Sequence, residues 1–214
     1  MEVGENFAQQ LRDVVAKIIE YLSIKDSVRE EVIKLSREII RKSGECIRKI
    51  IRGELESANS LVMELKELVR KLNDVARSHP EIYYSGLTSS CLMEYVEAQI
   101  LYRVITEGKL ATPEELDVPY VPYLLGLADV VGELRRMCLD CMREGKLDKV
   151  RNYLAVMESI YLELRTIEFP EALIPGLRHK VDVCRRLIED TKAMYVQLLH
   201  MRELVKYLEK LGSG

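Results

Sequence analysis

The sequence predicts an all-α fold, and three observations support this prediction. Apolar residues recur at steps of three and four along almost the whole chain, which is the spacing of one face of an α-helix. The sequence has no sustained alternation of apolar and polar residues, and no Asn-Gly or Asp-Gly pair of the kind that joins hairpin strands. Hydrophobic residues make up 48% of the chain and charged residues 31%, which is the balance of a globular protein. We therefore expect helices that enclose an apolar core.

The first half of the chain is predicted to form three helices. Residues 5–53 favour one very long helix, or a bent pair that breaks at residues 23–26, where Asp26 is able to cap the second member. Gly53 is a natural end for this segment. Residues 54–77 form a second helix that stops before Pro80, because proline disfavours helical geometry in the residue before it. A third helix covers residues 85–107 and ends at Gly108.

The second half is predicted to be helical with two interruptions. Thr112 caps a short helix start at residues 112–115, and residues 117–122 form an extended connector to a fourth helix that runs to Gly145. A fifth helix, a turn, a long last helix and a frayed tail follow at residues 148–166, 169–176, 177–211 and 212–214. These long helices favour an elongated bundle that forms one domain over residues 1–214. Apolar stripes on more than one side predict a homo-oligomer.

Composition also bears on the compartment. No apolar run approaches the roughly 18 to 20 residues that a membrane span needs, and the N-terminus lacks the segments of a signal peptide. Five cysteines, an odd number set in helical patterns, argue against a disulfide framework and for the cytoplasm. Cys138 and Cys141 form a CxxC pair, but the chain has no second pair and only three scattered histidines. We interpret these two cysteines as ordinary helix-face residues.

Two pairs of carboxylates lie in apolar stretches of the third and fourth predicted helices. Glu94 and Glu97 are three residues apart, and Asp129 and Glu133 are four apart, so each pair shares a helix face. Between residues 123 and 134 the sequence has no other charge. A charge in such surroundings is costly to bury unless something neutralises it. Carboxylates at this spacing also form ordinary solvated faces, and the spacing alone favours that interpretation.

If the two helices pack together, the four carboxylates can meet. Their mutual repulsion would then raise some of their pKa values unless a cation binds. Oxygen ligands suit hard cations such as Mg²⁺, Mn²⁺ or Ca²⁺. Mg²⁺ held at a phosphodiester is able to polarise the phosphate and generate hydroxide. The sequence has no Walker-type phosphate loop and no visible Ser/His/Asp or Cys/His arrangement, so ATP use and acyl transfer have little support.

The strings around these acids resemble the translin family, and within it translin-associated factor X. The strings are EYVEA at residues 94–98 and PYLLGLADVVGELRRM at residues 122–137, and the resemblance covers essentially the whole chain. It implies an all-α, seven-helix protomer that assembles into a hollow octamer enclosing RNA. It also implies a Mg²⁺-dependent endoribonuclease in which Glu94, Glu97 and Asp129 are the catalytic acids and metal ligands. Glu133, one helical turn further on, would be a fourth, and Mn²⁺ a substitute metal.

The chain departs from the eukaryotic pattern of that family. It is shorter, lacks a long insertion between the third and fourth helices and has no basic targeting run near its start. We therefore expect a stand-alone, prokaryotic-type homo-octamer that cleaves single-stranded RNA, and these departures put a role in RNA silencing in doubt. The alternative is a non-catalytic, translin-like assembly that binds single-stranded RNA or DNA.

A basic segment of the first predicted helix is the candidate RNA-binding surface. Arginines spaced by four, seven and four residues line one helix face, and lysines extend it. A row of cations matches a phosphate backbone, although a solvated face with local salt bridges explains the same pattern. The predicted RNA-binding residues are Arg37, Arg41, Arg48, Lys49 and Arg52. Tyr83, Tyr84 and Tyr123 are further candidates for stacking on bases, with a place in the core or in an interface as the alternative.

Overall fold

Helices account for the regular secondary structure of the chain. The computed structural model describes residues 2–212, and no strand occurs among them. The helices are α1 (Glu2–Ile51), α2 (Leu55–Ala76), α3 (Pro80–Tyr83), α4 (Gly86–Glu107), α5 (Pro113–Leu116), α6 (Tyr120–Arg143), α7 (Leu147–Leu164) and α8 (Leu177–Gly212). Six of these are long, and α3 and α5 have four residues each. The predicted all-α fold is confirmed.

Helix α1 shows which of the two sequence interpretations holds. It is one helix of 50 residues with no break at residues 23–26, and Asp26 lies within it rather than at a cap. The hydroxyl groups of Ser23 and Ser27 donate to the carbonyl oxygens of Ile19 and Ser23, at 2.8 and 3.0 Å. These serines therefore satisfy their polar groups on the helix itself. At the other end of the chain, Gly212 closes α8, and the rest of the predicted tail, residues 213–214, lies outside the described residues.

Gly108 ends α4 as the sequence predicted, but the connector to α6 is shorter than predicted, because α6 begins at Tyr120 and residues 120–122 are helical. The Ser85 side chain accepts a hydrogen bond from the Thr88 amide at the start of α4, and Gly108 ends it in the left-handed conformation at φ 65°. Asp117 follows α5 with φ 56°. The Asn73 amide donates to the Asp117 carbonyl oxygen at 2.9 Å, and Arg77 pairs with its carboxylate at 2.6 Å. These contacts fix the connector to α2.

Helices α4 and α6 form the middle of the bundle. Helix α4 packs against α1, α2 and α6, and α6 packs in turn against α7 and α8. Apolar side chains from all six long helices form one continuous core, which includes Ile39, Leu65, Leu101, Leu134 and Met157. The two helices that carry the predicted carboxylates are therefore direct neighbours.

The outer parts of α1 and α8 extend beyond this core. Among the side chains whose burial is described, Val32 is the first buried one in α1 and Thr191 is the last in α8. Most large apolar side chains before Val32 and after Thr191 are exposed, for example Phe7 at 65% and Met201 at 62%. Within residues 2–212, no helix has both the length and the apolar character of a membrane span.

Candidate functional site

A glycine in α6 brings the two acidic helices into close contact. A Cβ atom at Gly126 would lie 2.5 Å from the carbonyl oxygen of Met93 and 2.9 Å from Cβ of Val96, both in α4. Only a residue without a side chain fits there. Glu97 follows Val96 directly, and Asp129 lies about one helical turn after Gly126. The sequence interpretation gave Gly126 no role, although it lies within the string that resembles the translin family.

The four predicted carboxylates lie where α4 and α6 pack together, and we call them the carboxylate cluster: Glu94, Glu97, Asp129 and Glu133. Glu97 is the most buried of them, with 8% of its surface exposed. The side chains of Asp129 and Glu133 are 28% and 25% exposed, and Glu94 is half-buried. These acids therefore do not form the solvated face that the spacing alone favoured.

Burial raises the pKa values of three acids in the carboxylate cluster, and repulsion between the acids adds to the rise in two of them. The pKa of Glu97 rises from 4.5 to about 8, first because the group is buried and then because Asp129, Glu94 and Glu133 carry negative charge nearby. The pKa of Glu94 is also raised, by burial and by Asp129. Burial is the main cause of the raised pKa of Glu133. The acids thus act on one another electrostatically, as the sequence predicted for the case in which the helices pack together.

A lysine that the sequence interpretation missed reaches this cluster from α8. The Lys180 ammonium forms an ion pair with Asp129 Oδ1, and both side chains are about three-quarters buried. Lys180 lies between Leu177 and Cys184 at steps of three and four, so it flanks the buried face of α8. In the sequence, Lys180 is recognisable as a charged residue on the apolar face of α8 that Leu177 and Cys184 share.

The donor set fits a hard divalent cation, although the described side chains are not arranged around one. All four groups of the cluster offer oxygen, the ligand that Mg²⁺ and Mn²⁺ prefer. The buried oxygen Oε2 of Glu133 has no hydrogen-bond partner, and its nearest cation is Arg136 at 3.9 Å. Within residues 2–212, no three His, Cys, Asp or Glu side chains converge closely enough to hold an ion. In this arrangement the ammonium of Lys180 supplies the positive charge instead.

The predicted RNA-binding residues divide into four exposed arginines and one paired lysine, Lys49, and the neighbouring Lys42 is paired as well. We call the exposed row the arginine stripe: Arg37, Arg41, Arg48 and Arg52. Arg41 has a loose ion pair with Glu45 at 3.7 Å, within the helix. By contrast, Lys49 is paired with Glu54, and Lys42 with Glu64 of α2. The structure therefore leaves the arginines available to a ligand, whereas both lysines already have carboxylate partners.

The tyrosine and cysteine alternatives are resolved in part. Tyr123 is buried, and its hydroxyl group donates to the Ala111 carbonyl oxygen at 2.7 Å, so it belongs to the core. Tyr83 is also buried, whereas Tyr84 is 71% exposed and meets it edge-on. Tyr83, Tyr84 and Tyr120 line a cleft of about 970 Å³ that includes none of the carboxylate cluster. The five cysteines are free and buried, which places Cys138 and Cys141 in the helix packing.

Comparison with known proteins gives one consistent result. Residues 27–195 match the model of the Translin family. An uncharacterised protein of Methanocaldococcus jannaschii is 37% identical over 204 residues, which are 94% of this chain and 90% of that protein. The solved structure of AfC3PO with duplex RNA is similar, with a TM-score of 0.82 and 34% identity over 88% of this chain and 97% of that chain. The crystal structure of apo-NeC3PO has a TM-score of 0.76 and 27% identity, over 84% and 93% of the two chains.

Proposed function

This chain belongs to the translin family, and we propose that it is a Mg²⁺-dependent endoribonuclease that cleaves single-stranded RNA. The observation that carries the proposal is the buried carboxylate cluster between α4 and α6. Its most buried member is Glu97, whose pKa is raised to about 8 by burial and by three neighbouring acids. A merely structural helix pair has no need for such an arrangement, because burying mutually repelling carboxylates destabilises the fold.

The residues of the cluster would have distinct roles in this reaction. Glu94, Glu97 and Asp129 would hold the cation, and Glu97 would give up its proton as the cation binds. A bound Mg²⁺ supplies polarisation of the phosphodiester and activation of a water molecule. Glu133, whose buried oxygen lacks a hydrogen-bond partner, would orient the attacking water. Mn²⁺ would be able to replace Mg²⁺, because both prefer oxygen ligands.

RNA as the substrate is supported by the relatives and by the charge on α1. AfC3PO was solved with duplex RNA and matches 88% of this chain. The arginine stripe offers four exposed cations along one helix face, and such a row binds a phosphate backbone without reading its sequence. Single-stranded DNA would bind through the same contacts. Single-stranded RNA and duplex RNA are therefore alternative substrates.

We further propose that the protein works as a homo-octamer in the cytoplasm and belongs to the translin-associated factor X branch. The exposed apolar side chains at the ends of α1 and α8 need a partner, and further copies of the chain would cover them. Five unpaired thiols suit a reducing compartment. The acidic cluster favours the nuclease branch, since a binding subunit has no use for it.

The proposed nuclease activity is tested by incubating the protein with labelled single-stranded or duplex RNA, in Mg²⁺ or in EDTA. We expect cleavage of single-stranded RNA only with Mg²⁺. Glu97→Ala and Asp129→Ala should each lose at least about 100-fold in rate, since even outer-shell partners of metal ligands are worth about 10- to 100-fold. Asp140→Ala is the control, because Asp140 is also in α6 but pairs with Arg143 outside the cluster. Cleavage that persists in EDTA or in both cluster variants would contradict the mechanism.

A second candidate function is non-catalytic binding of single-stranded RNA or DNA. The observation in its favour is the ion pair between Lys180 and Asp129, which neutralises part of the cluster without a metal. Under this alternative the protein retains RNA tightly in Mg²⁺ or Mn²⁺ and leaves it intact. A filter-binding measurement beside the cleavage assay separates the two functions.

A further inference from the structure

Lys180 is held against the carboxylate cluster by the packing of α8 on α6. The Cys184 thiol donates to the Ala128 carbonyl oxygen at 3.4 Å. Cys184 lies one turn after Lys180 in α8, and Ala128 directly precedes Asp129 in α6. Leu177 on the other side of Lys180 is buried with 4% of its surface exposed. The start of α8 is therefore fixed next to Asp129, and only the long, flexible stem of Lys180 is free to change direction.

The charge of Lys180 acts on more than its direct partner. Besides the ion pair with Asp129, it opposes the rise in pKa of both Glu94 and Glu97. Lys180 is therefore a positive group that acts on three of the four acids in the cluster. A divalent cation bound by the same oxygens would lie close to this ammonium, and two like charges at such a distance repel each other strongly in partly buried surroundings.

We propose that Lys180 is a positioning residue that exchanges partners, from Asp129 in the metal-free protein to a phosphate oxygen of the bound RNA once a divalent cation occupies the cluster. The inference rests on the proposed function, because it needs a metal and an RNA at this site. A displaced ammonium in a place that is three-quarters buried requires a new anion. The phosphate brought to the cluster by the substrate is that anion, and lysine suits the exchange because its charge sits on a flexible four-carbon stem.

The exchange predicts that the lysine and the metal compete when RNA is absent. We expect Lys180→Met to bind Mn²⁺ about tenfold more tightly than the unchanged protein, because a repelling charge is removed. Lys180→Arg keeps the charge and should stay within about twofold of the unchanged protein. Lys192→Met is the matched control, since Lys192 is also in α8 and pairs with Glu158 of α7, away from the cluster. Mn²⁺ affinity is measured by electron paramagnetic resonance, and circular dichroism checks that each variant is folded.

The exchange also predicts that RNA and the metal each increase the affinity of the protein for the other, and that this effect depends on Lys180. RNA should tighten Mn²⁺ binding several-fold in the unchanged protein and in Lys192→Met, and Mn²⁺ should tighten RNA binding by the same factor, because such coupling is reciprocal. In Lys180→Met this mutual effect should be largely lost. The titrations are made in the cold with single-stranded RNA, and a gel after each one confirms that the RNA is intact. Lys180→Gln is a second neutral variant in case Lys180→Met does not fold.

Each result decides between distinct conclusions. Tighter Mn²⁺ binding and lost coupling in the neutral variants support the exchange. Mn²⁺ affinity in Lys180→Met that equals or falls below that of the unchanged protein overturns it while leaving the metal site in place. Unchanged coupling in Lys180→Met shows that the ammonium does not turn to the phosphate, which also overturns it. If no variant binds Mn²⁺, both the exchange and the metal-dependent function are wrong.

Discussion

The carboxylate cluster and the arginine stripe are two charged regions with opposite physical settings. The cluster lies between α4 and α6, where Glu97 is 8% exposed, and burial together with neighbouring acids raises its pKa to about 8. The arginine stripe lies on the outside of α1, where Arg37, Arg48 and Arg52 are exposed. Charge in the first region destabilises the fold, whereas charge in the second is solvated and has little effect on it.

This difference shows which region carries specific chemistry. Buried like charges destabilise the folded protein, so their presence indicates a function other than folding. Binding of a cation is such a function. An exposed row of arginines needs no such reason, since solvated charged faces are common on helices. The cluster should therefore respond to pH, metal and single substitutions, and the stripe should respond mainly to salt concentration.

The largest expected effect is on the stability of the metal-free protein with Glu97→Gln. Burial and neighbouring acids raise the folded-state pKa of Glu97 from 4.5 to about 8. Below about pH 4.5 the group is neutral in both states and has no effect on their balance. As the pH rises from 4.5 to 8, the unfolded chain ionises first, so the folded protein loses up to about 5 kcal/mol, and the loss stays constant at higher pH. Glutamine removes this loss.

Urea unfolding at several pH values in EDTA measures this effect. The variant and the unchanged protein should have similar stabilities near pH 4.5, and the variant should become the more stable one toward pH 8. The exposed Glu31 of α1 provides the control, since Glu31→Gln should change stability by less than about 0.5 kcal/mol at every pH. A difference between Glu97→Gln and the unchanged protein that does not grow with pH would show that Glu97 is ionised as easily as an exposed acid.

A smaller effect is expected where the two acidic helices touch. Gly126→Ala places a Cβ 2.5 Å from the Met93 carbonyl oxygen, so backbone must move and stability should fall by about 2 to 3 kcal/mol. Gly132→Ala in the same helix meets nothing within 4 Å and should raise stability by up to about 1 kcal/mol. Thermal unfolding of the two variants measures the contrast. Equal changes in both would mean that Gly126 does not set the distance between α4 and α6.

The sequence was sufficient to predict the long helices, because each carries its own signals, whereas the one-turn helix α3 was not predicted. Gly108 ends α4, and Thr112 with Glu115 forms a capping box at α5, as the sequence indicated for Gly108 and Thr112. The continuity of α1 was not decided by the sequence. Its serines at positions 23 and 27 favour helix ends in general, yet they bond to the preceding turn instead.

The site was predictable only in part. Spacing placed Glu94 beside Glu97 and Asp129 beside Glu133, but the meeting of the two pairs depends on packing between helices that no local pattern reports. Lys180 joins the cluster from 51 positions beyond Asp129, through the docking of α8 on α6. The need for glycine at position 126 likewise depends on the Met93 carbonyl oxygen of α4, which is brought near only when the two helices pack. Such long-range contacts are set by tertiary packing.

The smallest expected effect concerns the arginine stripe and separates it from its lysine neighbours. Arg48 is exposed, whereas Lys49 is half-buried and already paired with Glu54. If the stripe lies on RNA phosphates, Arg48→Gln should weaken binding of single-stranded RNA by less than about 1 kcal/mol. It should also lower the slope of log affinity against log salt by about 0.7, the value for one phosphate contact on a single strand. Lys49→Gln should leave that slope unchanged, because an ammonium held by a carboxylate releases no counterion from RNA. Fluorescence anisotropy between about 50 and 200 mM salt measures both slopes, and equal slopes for the two variants would remove the stripe as the RNA-binding surface.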